Sequence, residues 1–325
     1  MATVAVGARS SVLARTTRDR VLLREFLERD RLLAAYAICD LEDREFGRTR
    51  WGVATQGAEV TAVCLEYGGL TPQPMFVMGD NDGIATILRD VVKPRAAYLA
   101  GKAETLPAVS QHYRIEPGPP MIRMWVDRMT FQPLPAHVER VLPVEVSELN
   151  HLYQLGFAAW LPSSAIAEGV YFGIRVNGRL VAAAGTHVIS REARLAVVGN
   201  VLTHSDHRGR GYAKAVTSAV TAELLRYCDE VVLNVRSDNP PAIQAYSRLG
   251  YQEHSRFEER LVRRLRSPWS DLTAPIRRLF ARAAPRPSAG PMADQARPHP
   301  MHHAHAIPTP PVPPSPEDGS LEDPR

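Results

Sequence analysis

The sequence predicts a mixed α/β protein, of the α+β kind, built twice over. Three observations carry that expectation. Apolar, β-branched runs alternate along the chain with stretches of helical, 3.6-residue period. The order two helices, three strands, helix, strand, helix, strand fills residues 18–131, and the same order returns over 147–263. The 325 residues are 45% hydrophobic and 23% charged, a globular balance in a chain long enough for two domains and a tail.

In the first half, residues 1–17 are small and polar without period and are expected to be disordered. Residues 19–28 read as an amphipathic helix, because Leu22 with Phe26 and Leu23 with Leu27 are i, i+4 pairs. A second helix is expected over 30–40. Strands are expected at 51–55, 60–67 and 75–78, a helix at 83–91, a strand at 97–100 and a helix at 104–113. Residues 121–129 alternate as a strand does. These elements make a first domain over 18–131. A short, proline-rich linker, 132–143, leads to a second domain over 137–263.

In the second half, Ser147 or Asn150 is a candidate cap for a helix carrying Leu149, Leu152 and Tyr153. Asn177-Gly178 between alternating runs at 170–176 and 180–190 signals a hairpin. A strand is expected over 196–202. A polar turn follows, then a basic glycine loop, His207-Arg208-Gly209-Arg210-Gly211-Tyr212-Ala213. The next helix has its apolar face at Val216, Val220, Leu224 and Tyr227. After a strand at 231–235, Asn239 suits an N-cap, Pro240 the first helical position and Gly250 the stop, with Ile243, Tyr246 and Leu249 in phase between them.

The glycine loop suits an anion. A helix start leaves backbone N–H groups unpaired and carries partial positive charge. Gly209 and Gly211 allow close approach and positive φ, while Arg208, Arg210 and Lys214 add full charge. No Gly-Lys-Ser/Thr ends the loop and the third glycine of a dinucleotide fingerprint is missing, which argues against a nucleotide-triphosphate or Rossmann site.

Two spaced patterns carry a resemblance. Arg208-x-x-Gly211-x-Ala213 has the form Arg/Gln-x-x-Gly-x-Gly/Ala. Asn239-x-x-Ala242-x-x-x-Tyr246-x-x-x-Gly250-Tyr251 follows about 26 residues later, with helix and strand between. In this order they resemble the GNAT acyltransferase superfamily. The resemblance implies a twisted, mostly antiparallel sheet flanked by helices in each half. It implies an N-acetyltransferase with acetyl-CoA as co-substrate, a primary amine as acceptor and no metal. It places the diphosphate on Arg208, Gly209, Arg210, Gly211, Tyr212 and Ala213. It places the pantetheine arm along the backbone of Val201, Leu202 and Thr203 and beside Asn239 and Ala242. Tyr246 falls where the family keeps a tyrosine near the sulfur, and a phenol suits protonation of a leaving thiolate.

The first half reads as a degenerate copy, with an unrelated α+β domain as the other reading; its phosphate-loop position is Gly79-Asp80-Asn81-Asp82-Gly83, where two carboxylates repel a diphosphate. The family's glutamate base is missing from the strand before the second-half loop, where Asn200 stands. His187, His204, a water relay or an amine arriving neutral are the routes left open, as is a non-catalytic acetyl-CoA sensor or scaffold. Phe157 reads as core; Trp160 reads equally as core or as acceptor-pocket wall. Protein N-terminus, lysine, amino acid, polyamine and antibiotic amine all carry the required group.

A net charge of +4 with dispersed arginines gives no nucleic-acid stripe. Cys39, Cys64 and Cys228 lack metal spacing and suit reduced, buried thiols. With no signal-like h-region and no long apolar run, a cytoplasmic protein without a membrane span is expected. Residues 264–283 offer a short helix. The tail, 284–325, holds 12 of the 27 prolines and a histidine cluster and is expected to be disordered.

Overall fold

Backbone pairing joins both halves of the chain. The computed structural model describes residues 11–68, 72–154 and 161–265. The expected helix at 264–283, the tail, Phe157 and Trp160 lie outside them. The first half contributes β1 (Val12–Thr17), α1 (Arg20–Leu27), α2 (Ala35–Cys39), α3 (Asp43–Phe46), β2 (Thr49–Gln56), β3 (Glu59–Tyr67), β4 (Gln73–Gly79), α4 (Asn81–Asp90), β5 (Ala96–Gly101), α5 (Leu106–Ser110), β6 (Tyr113–Ile115) and β7 (Met121–Asp127). The second contributes β8 (Glu139–Arg140), α6 (Val146–Gln154), α7 (Ser163–Glu168), β9 (Tyr171–Val176), β10 (Arg179–Ser190), β11 (Leu195–Thr203), α8 (Tyr212–Leu224), β12 (Glu230–Arg236), α9 (Pro240–Ser247) and β13 (Gln252–Arg264).

Among the described residues these strands form one sheet in the order β1-β2-β3-β4-β5-β13-β7-β12-β11-β10-β9-β8, with β6 added on β13. It is mostly antiparallel. The parallel pairs are β4 with β5 and β11 with β12, each joined through a helix, α4 or α8. The two halves thus repeat one another in connection as well as in element order.

Three expectations are corrected. Residues 12–17 are not disordered: they pair with β2 from Val12↔Gln56 to Thr17↔Trp51. An edge strand is held by ladder hydrogen bonds more than by burial, and here Thr17 alone is fully buried, so no apolar pattern announces it. The second helix is broken, with α2 confined to 35–39. Asp30 accepts from the Leu33 N–H at 3.3 Å, and Leu33, Ala34, Ala35, Ala37 and Ile38 are all buried, so the segment is wrapped by protein rather than amphipathic. The third correction concerns β7, read as the end of the first domain. It lies inside the second half's sheet, between β12 and β13. In exchange, β13 pairs with β7 through 252–257 and with β5 through 258–263.

The core follows the exchange. α1 and α2 bring Leu23, Phe26, Ala35 and Ile38 against Val53 and Val63 of the first half and against Val188, Val197 and Val232 of the second. The opposite face of the second half is covered by α8 and α9, where Val216, Val220, Leu224 and Tyr246 meet Ala196, Val198, Val231 and Leu233. Cys39, Cys64 and Cys228 are buried thiols. No described helix is long and apolar enough to cross a membrane.

Polar groups gather at one interior place, on the face that α2 covers. A cavity with about 530 Å³ of atom-free space, counting its mouth, is lined by Tyr36, Phe76, Tyr98, Arg123, Asn234 and Glu259 among others. Arg123 is 2% exposed, and its Nη1 donates to the Leu32 carbonyl at 3.1 Å. The part-exposed Glu259 carboxyl makes no hydrogen bond or ion pair among the described residues, the Glu259 backbone carbonyl alone accepting from Arg260 Nη1 at 3.3 Å. Burial pushes its carboxyl up to about 7, against the pull of Arg123 and Arg260.

Between its ordinary value near 4.5 and about 7, the folded chain therefore keeps a proton that the unfolded chain has lost, and stability falls as pH rises through that window. Glu259→Gln removes the cost of the buried charge. Its melting temperature should exceed the parent's by a few degrees at pH 8 and match it near pH 4. Thermal melts of both chains across this range check the sign.

Candidate functional site

The site is built where β11 leaves β12. The two strands pair in parallel only from Leu195↔Glu230 to Val198↔Leu233. Beyond Val198, β11 stays on β10 as far as Thr203↔Ala182 and diverges from β12. Val201, Leu202 and Thr203, all part-buried, therefore lie on an edge that has no strand partner on the β12 side among the described residues.

A bulge starts the divergence. Three steps along β11, from Gly199 to Leu202, match two along β10, from Gly185 to Ala183. Asn200 takes up the excess at φ 52°, a left-handed conformation that asparagine tolerates better than most side chains. Three contacts hold it. Tyr153 donates to its carbonyl at 2.7 Å, its Nδ2 donates to the Tyr171 hydroxyl at 3.2 Å, and its Oδ1 lies 3.0 Å from His187 Nε2.

This network favours one tautomer of His187. Asn200 Oδ1 only accepts, so Nε2 carries the proton, and Nδ1 accepts from the Tyr36 hydroxyl at 2.6 Å. His204 Nδ1 accepts from the Asp206 N–H at 3.3 Å and so caps its own turn. Neither histidine offers an open Nδ1 lone pair, which weakens both as direct bases.

The glycine loop carries the charge. Gly209 and Gly211 adopt φ of 75° and 78°. Among the described residues no atom lies within 4 Å of a Cβ added at either, so conformation, not space, calls for glycine. Gly211 precedes α8 with no side-chain cap, and no acid sits in the first turn. Arg208 and Arg210 are exposed, Lys214 is part-buried, and none is in an ion pair among the described residues. Arg208 Nε reaches back to the Thr203 carbonyl at 3.4 Å, tying the loop to the strand edge. Tyr212 and Ala213 open the helix, and Tyr212 stacks on His207 with ring centroids 6.4 Å apart.

The equivalent turn in the first half is chemically opposite. Asp80 caps α4 by accepting from the Gly83 N–H at 2.6 Å, and Asp82 occupies the first turn. The position that would receive an anion is already taken by a carboxylate.

Asn239 caps α9, its Oδ1 accepting from the Ala242 N–H at 3.3 Å. Its side chain therefore has a structural task whatever else it contacts. Tyr246 is 7% exposed and packs within the α8–α9 core, 6.2 Å from Tyr251 between ring centroids. Tyr251 bonds Thr221, whereas the Tyr246 hydroxyl has no hydrogen bond among the described residues. Burial pushes the Tyr246 phenol up to about 12, so it holds its proton at neutral pH. No three described His, Cys, Asp or Glu side chains cluster as metal ligands would.

The cavity groups Tyr36, Arg123 and Glu259 escaped the sequence reading. Arg123 and Glu259 sit in alternating strands without a motif, and only the strand exchange brings them together. Arg123, set in 121–126 where every other residue is apolar, was the one available signal.

The comparisons with known proteins follow the same geometry. The model of the acetyltransferase (GNAT) family matches residues 138–251. A GCN5-related N-acetyltransferase from Sphaerobacter thermophilus is similar in structure, with a TM-score of 0.56 at 16% identity over 79% of this chain and 96% of that one. A Drosophila protein gives 0.56 at 12% identity over 78% and 99%. A GNAT-family acetyltransferase from Colwellia psychrerythraea gives 0.50 at 12% over 78% and 99%. At these identities the structural likeness establishes fold, and its span reaches well into the first half. No curated protein matches the sequence. The stretch 138–251, with its split strands and glycine loop, is a domain of the acetyltransferase (GNAT) family.

Proposed function

We propose that the second half transfers an acetyl group from acetyl-CoA to a primary amine by direct attack in a ternary complex. The observation that carries this reading is the pairing of two features at one place. A helix N-terminus without a side-chain cap, ringed by unpaired cations, adjoins a strand edge that has lost its partner. A phosphate-ended, amide-containing arm is complementary to both.

In this reading the loop 208–213 binds the diphosphate, and the backbone of Val201–Thr203 pairs with the pantetheine amides. Ala242 lies beside the arm at the start of α9, where Asn239 holds the helix. The amine nitrogen attacks the thioester carbon, and the C–S bond breaks. The leaving sulfur takes a proton from the Tyr246 phenol, which is recovered from the nitrogen. Asp80 leaves the first half without a comparable anion site. The engagement of His187 and His204 and the lack of an acid on β11 favour one second reading, a module that binds acetyl-CoA without turnover.

Gly211→Glu forces a side chain into a left-handed position and sets a carboxylate against phosphate. Acetyl-CoA affinity measured by calorimetry should fall by about 100-fold or more, corresponding to about 2.7 kcal/mol. Tyr246→Phe should lower kcat by about 100-fold with cofactor affinity within about twofold. Thiol release measured against an amine panel, alongside calorimetry, separates the readings: tight binding with no turnover of any amine supports the sensor.

A further inference from the structure

The interior cavity holds opposite charges that do not satisfy each other. Arg123 is almost fully buried, yet among the described residues no carboxylate lies within 4.0 Å of its guanidinium and its Nε has no hydrogen-bond partner. Its other contacts are the Leu32 carbonyl and the faces of Tyr36 and Phe257, with centroids 5.5 and 5.1 Å away. The Glu259 carboxyl lines the same cavity without a polar partner among the described residues, and the Asn234 Oδ1 is buried and unmatched. Arg123 Nε and Asn234 Oδ1 are thus left without partners in an aromatic-walled space that the part-exposed Glu259 carboxyl also lines. A small molecule bearing both an anion and an ammonium would relieve all three.

Two lining residues connect the cavity to the strands that carry the proposed acetyl site. Asn234, part of its lining, is the first residue of β12 past the last pair with β11, where the cleft opens. Tyr36, also in the lining, connects through His187 to the Asn200 bulge on the other side of that cleft. Both walls of the divergence are thus linked to the chamber.

We propose that this chamber, built by both halves, binds the acceptor, and that the acceptor is a small amine carrying a carboxylate. Arg123 anchors the carboxylate, and Glu259 receives the proton from the ammonium. This assignment rests on the acetyl-transfer reading only for its catalytic part. The ammonium gives one proton to Glu259, and the neutral nitrogen forms the C–N bond as the C–S bond breaks. The second nitrogen proton restores Tyr246 after the phenol has protonated the sulfur. Glu259 returns its proton to solvent, so the balance is one ammonium and one thioester to one amide, one thiol and one proton.

The test uses the full chain with glycine, β-alanine and 4-aminobutyrate, each against its amide, and with n-propylamine. Calorimetry without acetyl-CoA measures binding, and thiol release measures turnover. At least one zwitterion should bind, and its amide should bind about 30-fold or more weakly. Arg123→Lys should reduce that discrimination. Glu259→Gln, an isosteric change, should lower kcat for the zwitterion about 100-fold while acetyl-CoA affinity holds. If acetyl-CoA binds but amides and propylamine match the zwitterions in binding and turnover, the chamber assignment is overturned and the transferase reading stands. If a zwitterion binds through Arg123 while acetyl-CoA does not, the chamber stands and the transferase reading falls. If nothing binds, both fall.

Discussion

The structure depends on one strand serving both halves of the sheet. β13 is thirteen residues long; its first part hydrogen-bonds to β7 and its last part to β5. With β7 placed between β13 and β12, neither half owns a complete set of strands. The buried helices follow suit, because α2 lies over strands of both halves at once. What reads along the sequence as two domains is one hydrogen-bonded ladder with one shared core, and the interior charges of Arg123 and Glu259 exist only at that seam.

The pseudo-repeat also separates what topology supplies from what residues decide. Both halves place a helix between two parallel, paired strands, α4 between β4 and β5 and α8 between β11 and β12. Topology therefore offers two helix N-termini of equal polarity. Residue choice sets them apart: Asp80 closes one with its own carboxylate, and Gly211 leaves the other bare among cations. A few side chains at one turn thus decide which half presents an anion site.

Much of this was legible from residue order. The hairpin at Asn177-Gly178 adopts φ of 51° and 76°, as its turn type requires. The Asn239 cap, the α8 face and the glycine loop stand where their local chemistry put them, because each depends on near neighbours. Long-range choices left no such trace. Strand alternation gives Met121–Asp127 an inner and an outer face but names no partner, so the exchange with β13 could not be read. β1 escaped because its pairing is made by backbone, and the Tyr36–His187–Asn200 chain because its members lie 151 and 13 residues apart.

The shared strand has a consequence for how the protein comes to be made. The strand that completes the first half of the sheet, residues 258–263, is synthesised more than 150 residues after β5, to which it binds. A nascent first half therefore waits with an open β5 edge until residues 258–263 have left the ribosome. That favours a late, all-at-once closure over stepwise maturation, and it leaves an interval in which an unpaired edge must be shielded from other chains.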